Sequence, residues 1–295
     1  MEFLVAGFEI IEQESGLEGI FKQAELPGRI CYGSQDKMAP GTAEKFVNGL
    51  MKSNHGAPLE HGSVYLKADD EYHGNPLDKY RDNPYSKLRS VNGTKYVSTN
   101  LRVLFENGWL KDLEDYLCEP TEFHEKRYTV RFTVDRFTGE EFLRHRKASF
   151  NRESTRYVLF TKEKFGGGSI KYIIPPWILD DKSRIEGYAE QDIDFYIDTM
   201  REYLQTKQPL DDIFAWTFAL KSAEWSYCYL VNECGWKAEQ ARTVLPCAIN
   251  SPLIKTAFLS DWKNFFNLRA KGTTGKPHPQ ALELAVPLMN EFINR

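Results

Sequence analysis

From Arg127 to Asp135 the chain alternates without a break. Tyr128, Val130, Phe132 and Val134 fall on one face, and charged or hydroxyl-bearing residues fall on the other. A period of two over that length is a half-buried β-strand, so the fold must contain a sheet with an apolar face to cover. Ser63 to Lys67 alternates in the same way over a shorter stretch. The second half of the chain has a helical period instead. It predicts helices from about Ile185 to Gln205, Asp211 to Asn232, Ala238 to Leu245 and Pro279 to Ile293. Gly235 is a helix stop after Asn232, and Pro175-Pro176 separates the two halves. An earlier helix is expected over Lys45 to Lys52, where Phe46, Leu50 and Met51 share a stripe. Residues 69–95, rich in Asn, Asp, Gly and Pro, read as an elaborated loop. Strands first and helices afterwards give an α+β chain. With no internal repeat and no low-complexity linker, residues 1–295 read as one domain.

Composition narrows the function classes. Apolar residues make up 41% of 295, enough for a core. No apolar run approaches 18 residues, so no membrane helix is expected. Met1 to Val5 lacks the basic residues of a signal peptide. The five cysteines are odd in number and none forms a Cys-x-x-Cys pair, which fits reduced thiols in the cytoplasm. The Asn92-Gly93-Thr94 sequon then has no role. A net charge of −4 argues against a nucleic-acid partner.

Against that acidic background, five cations lie between Arg144 and Arg156 (Arg144, Arg146, Lys147, Arg152 and Arg156) beside a single anion, Glu153. Guanidinium forks match phosphate oxygens, so a local surplus of arginine marks an anion site. The order of residues is more specific than the charge. Arg144-His145-Arg146 is followed after seven residues by Ser154, then Thr155, Arg156 and Tyr157.

This order resembles the signature of the flavin-dependent thymidylate synthases. The resemblance implies an antiparallel sheet flanked by helices and reductive methylation of dUMP to dTMP. It implies FAD as cofactor, NADPH as reductant and methylenetetrahydrofolate as carbon donor. It also implies a homotetramer with sites between subunits. Other segments extend it. His55-Gly56-Ala57-Pro58-Leu59-Glu60-His61 is similar to a family segment bordering the flavin, with Ala57 where Ser or Thr is usual. Ala241-Arg242-Thr243-Val244-Leu245-Pro246 matches a segment whose arginine reaches the nucleotide. Asn264-Phe265 through Leu268-Arg269 matches another, which makes Asn264 a flavin contact and Arg269 the catalytic group polarising the uracil.

The resemblance thus assigns dUMP to Glu141, Arg144, Arg152, Glu153, Ser154, Thr155, Arg156, Arg242 and Arg269. It assigns FAD to His55, Ala57, Arg144, His145, Arg146, Ser260 and Asn264. Several positions depart from the family. Glu141 replaces a common Gln, Arg152 a common Glu, and Phe258 and Ser260 replace Asn and Arg. These departures, with Ala57, motivate a rival reading as a flavin-dependent UMP methylase or dUMP hydroxymethylase. A non-enzymatic nucleic-acid binder would explain the arginines but none of the other segments.

His55, Glu60 and His61 have metal-ligating side chains. Their spacing does not put both histidines on one helical turn, and no cysteine cluster completes a set, so no metal is expected. Gly272 to Pro277 lacks P-loop spacing. Ser154 has no evident His–Asp relay and reads as a phosphate contact rather than a nucleophile.

Overall fold

The structure, a computed structural model, describes residues 1–70, 74–162 and 167–294. Strands β1 (Glu2–Val5) and β2 (Gly7–Ile11) lead into helices α1 (Gly16–Cys31) and α2 (Thr42–Lys52). Then come β3 (Ser63–Asp69), β4 (Lys87–Val91), β5 (Thr94–Asn100), α3 (Leu101–Asn107) and the short α4 (Asp112–Asp115). The middle of the chain forms β6 (Arg127–Thr133), α5 (Arg136–Leu143), β7 (Ser149–Arg152) and β8 (Lys171–Ile174). The C-terminal part comprises α6 (Lys182–Ala189), α7 (Ile193–Thr206), α8 (Asp212–Asn232), α9 (Ala238–Ala241), β9 (Leu253–Phe258), α10 (Leu259–Arg269) and α11 (Pro279–Ile293).

The α+β class holds, and most of the sheet is antiparallel. A four-stranded antiparallel sheet has the order β2-β6-β9-β7, and a three-stranded one the order β3-β5-β4. Beside these two antiparallel sheets there is one parallel pair, β1 with β8. The alternation at Arg127 is β6, whose Val130 and Phe132 are fully buried against Trp262 and Phe265 of α10 and Leu284 and Leu288 of α11. A second core, under the three-stranded sheet, joins Leu59, Val64, Leu66 and Val97 to Ala24, Val47 and Leu101 of α1, α2 and α3.

Three local readings change. Ile185 to Gln205 is two helices, because Asp192 leaves the helix and caps α7 by accepting from Phe195 N at 2.9 Å. Ala238 to Leu245 is one α-turn followed by a 3-10 turn, Arg242–Val244. The expected loop at 69–95, apart from 71–73, which lie outside the described residues, contains a 3-10 turn at Pro76–Tyr80 and the β4–β5 hairpin. Asn92 and Gly93 turn that hairpin with φ of 49° and 79°. Two successive left-handed residues are what a two-residue hairpin needs, and Asn-Gly supplies them at least cost.

The topology brings the sequence motifs close to one sheet. Arg144-His145-Arg146 joins the C-terminus of α5 to β7, which pairs with β9. β9 runs directly into α10, which ends at Arg269. Asp135 fixes the start of α5 by accepting from Thr138 N at 3.0 Å.

Candidate active site

Arg269 closes a tight arrangement with the signature. Its Nε donates to His145 Nε2 at 3.2 Å, its Nη1 to Glu141 Oε2 at 2.5 Å and its Nη2 to the Glu141 carbonyl at 3.0 Å. Residues 124 and 128 positions apart are thereby joined. Burial drives His145 down to about 3, and the charges of Lys255 and Arg269 act the same way. His145 is therefore neutral, and its Nε2 is free to accept from arginine. His145, assigned to the flavin by the resemblance, here accepts from Arg269. Glu141, read as a nucleotide contact, here holds Arg269. Arg144 is exposed, has no ionic partner among the described residues, and lines an open cleft of about 430 Å³ with Glu141, Phe137 and His278.

A second group forms where His55 meets the end of the signature. The Tyr32 hydroxyl lies 3.3 Å from His55 Nδ1, and its ring lies 5.3 Å from that of Tyr157. Ser154 N donates to Cys31 O at 3.2 Å, which ties the signature to the end of α1. Arg156 sits over Tyr157 and pairs with Glu239 of α9 at 2.9 Å. Arg242 follows Glu239 by three residues and is exposed. Ser154, Thr155, Arg156, Arg242 and His55 thus belong to one surface. Tyr32 belongs there too, although the sequence did not single it out; its adjacency to a helix end carried no signal.

A third group lines an open cleft of about 520 Å³ between the three-stranded sheet and β9. Arg146 and Lys147 enter it from the signature, and Glu60 enters from the His55 segment. Glu60 is held by Arg102 at 2.6 Å. Gly56 lets Arg102 lie close, since a Cβ there would be 2.8 Å from its Nε. Ala57 begins the 3-10 turn Pro58–His61 and is half-buried. Ser260 and Asn264 are exposed one turn apart on α10, next to Asp261 at the cleft wall. No hydrogen bond or ion pair links one of these three groups to another among the described residues.

Other motif residues lie in or beside β7 and the 3-10 turn Pro58–His61. Asn151 Oδ1 accepts from His61 Nε2 at 3.3 Å, and its Nδ2 donates to Pro27 O at 3.4 Å, so it binds β7 to α1. His61 is buried against Thr256 Oγ1 at 2.7 Å, and burial lowers its pKa to about 3. Glu153 is pushed up to about 7 by burial, against the pull of Arg131 and Lys171. Arg152 lies beside α5, 4.0 Å from Glu140, and its Nη1 is buried without a partner among the described residues. No group of three or more candidate metal ligands occurs among the described residues. No helix among them is long and apolar enough to cross a membrane.

A family model described as "Thymidylate synthase complementing protein" matches residues 96–293. The match takes in the signature and the Arg242 and Arg269 segments; the His55 segment lies before it. No curated protein matches the chain. Two crystal structures of the UMP/dUMP methylase PolB from Streptomyces cacaoi are similar to it, one bound with 5-Br dUMP and one with 5-Br UMP. Identities are 17% and 16%, covering 100% and 99% of this chain and 93% and 91% of that chain, each with a TM-score of 0.42.

Proposed function

Since the chain belongs to the thymidylate synthase complementing protein family, the flavin-dependent thymidylate synthases, we propose that it converts dUMP to dTMP with FAD, NADPH and methylenetetrahydrofolate. The observation that carries this reading is the joining of Arg269 to His145 and Glu141, two motifs brought together from opposite ends of the matched segment.

Arg269 has five N–H groups and spends three on His145 and Glu141, so two remain for a ligand. C5 of uracil becomes nucleophilic when negative charge on the ring nitrogen and carbonyl oxygens is stabilised. A guanidinium held in place by a carboxylate and a neutral imidazole can do that without reorganising. Ser154 and Arg156 would hold the nucleotide phosphate, and Arg242 the nucleotide beside them. Arg156 must exchange Glu239 for the phosphate. That exchange is cheap, because exposed ion pairs contribute little.

When bound, the flavin supplies the hydride that completes the methyl group, and the folate supplies the carbon. The residues present suit a flavin with anionic phosphates. Among the described residues, Arg146 and Lys147 reach the third cleft with no ion pair, and Arg127 Nε is buried there without a partner. Ala57 offers no hydroxyl to it. We assign the chain to a homotetramer, in which the three groups of residues meet across subunits.

The test is the visible spectrum of the purified protein, followed by anaerobic turnover with NADPH, methylenetetrahydrofolate and dUMP. A flavin spectrum with dTMP formed is the expected result. Flavin bound but 5-methyl-UMP or 5-hydroxymethyl-dUMP formed would move the assignment to the altered substrate that Arg152 and Ala57 suggest. No flavin bound after FAD is added would overturn it.

A further inference from the structure

A cleft of about 370 Å³ lies between the start of α1, β3 and the start of β6. It shares Arg127 with the third cleft, but none of the residues assigned to dUMP or FAD lines it. The sequence builds its rim at a turn. β2 passes into α1 through Gly16, at a φ of 73°. The turn folds back over Gly19, where a Cβ would meet the Glu14 carbonyl at 1.8 Å. Ile20 and Gln23 lie three residues apart on the face of α1 that lines the cleft.

Gln23 is 6% exposed, and its carboxamide makes no hydrogen bond among the described residues. Gln13, on the same cleft, is the contrast. Its Nε2 donates to Ser63 O and its Oε1 accepts from Ser63 N, both at 2.8 Å. An amide withdrawn from water with neither donor nor acceptor paired is costly, and a ligand that pairs it removes that cost. Around it, Ile11, Ile20, Tyr65 and Leu117 present apolar surface. Tyr65 is fixed in place, its hydroxyl accepting from Arg127 N at 2.9 Å. The charged groups bordering the cleft are three carboxylates (Glu12, Glu14 and Glu119) and two cations, Lys126 and Arg127. That balance disfavours a phosphate. The N-terminus of α1 is closed to an anion as well, because Glu119 Oε1 already accepts from Gly16 N at 3.3 Å.

We propose that this cleft binds an uncharged nucleoside. The Gln23 carboxamide offers a donor and an acceptor side by side, which pairs with a base edge carrying one of each. Adenine has such an edge, and so do thymine and uracil. The apolar walls take the faces of the ring. Glu119, exposed at the mouth, accepts from a sugar hydroxyl. The volume suits one nucleoside. This site does not depend on the methylation assigned above.

Calorimetry of thymidine, adenosine and their 5′-monophosphates compares wild type with Gln23→Leu and Glu119→Ala. dUMP is held at saturation, so that the nucleotide site is occupied. We expect thymidine or adenosine to bind wild type, and to bind Gln23→Leu at least about tenfold more weakly, the loss of one bidentate pair. Glu119→Ala should weaken binding several-fold, and a 5′-phosphate should weaken binding to wild type. Binding of thymidine alone supports the site and makes its ligand a pyrimidine; binding of adenosine alone supports it and makes the ligand a purine. No binding of either nucleoside to wild type would overturn the proposal. So would equal affinities of wild type and Gln23→Leu, or tighter binding of the monophosphates. Leucine replaces an unpaired amide beside apolar walls, so Gln23→Leu should fold. If it does not, Glu119→Ala carries the comparison: a weakened affinity supports the site and an unchanged one overturns it. If wild type does not bind dUMP, the methylation reading fails by itself, and the same titrations without dUMP still read this cleft.

Discussion

Arg269 donates to Glu141 and to a neutral His145, and both anchors come from the segment around the arginine signature. An arginine fixed in this way costs little to aim at a developing charge, and its loss removes stabilisation realised in the transition state. Arg269→Ala should therefore lower kcat by about 10²–10³-fold, with FAD content within twofold of wild type. The check is steady-state turnover beside the flavin-to-protein absorbance ratio. Turnover within a few-fold of wild type would remove the polarising role. The sequence assigned Arg269 by its place in a motif. It gave no sign that Glu141 and His145 would be its holders, because those contacts depend on how α5 and α10 pack.

At the scale of elements, what the sequence disclosed follows the exposure of each element. β6 was legible because one face is buried and the other is not. β9 has all six residues buried, so it has no alternation to read, and it contains a lysine. α1 was missed because Gly19, Pro27 and Gly28 interrupt its period, although Pro27 lies within the helix. The β4–β5 turn carried a usable signal in Asn92-Gly93 that the surrounding polarity obscured. Lys255 on β9 makes a testable case. It is fully buried, its Nζ has no hydrogen bond among the described residues, and it lies 3.9 Å from the centre of the Phe265 ring and 4.1 Å from that of Trp262. Burial holds its pKa well below the ordinary lysine value. Across the window between the two values the unfolded chain binds the extra proton, so stability rises with pH there. Lys255→Met should raise unfolding free energy at pH 7 by about 1–3 kcal/mol, the cost of a buried amine without a partner. The gain should narrow as pH approaches 10.5, the ordinary value. Urea denaturation of both proteins at pH 7 and pH 9.5 checks it, and a gain independent of pH would contradict this account.

For the whole molecule, the candidate residues form three clusters on one chain, two of which adjoin at His145-Arg146. Arg156 pairs with Glu239 on one of them, and Arg269 is held by Glu141 and His145 on another. A single copy of the chain does not link them by any hydrogen bond or ion pair among the described residues. The resemblance implied sites between subunits, but a motif order carries no information about which copy supplies each residue. In a closed homo-oligomer the surfaces can meet across an interface. Mixing two inactive variants tests this directly. Arg156→Ala and Arg269→Ala, each purified as inactive protein, are dissociated, mixed in equal amounts and reassembled. If a site takes Arg156 from one chain and Arg269 from another, random reassembly leaves about a quarter of the sites intact, and turnover should return to that level. If both residues of a site come from the same chain, every site retains one defect and no turnover returns. Sedimentation of the mixture would show whether reassembly to a tetramer occurred, so a silent result with tetramers present counts against the shared site.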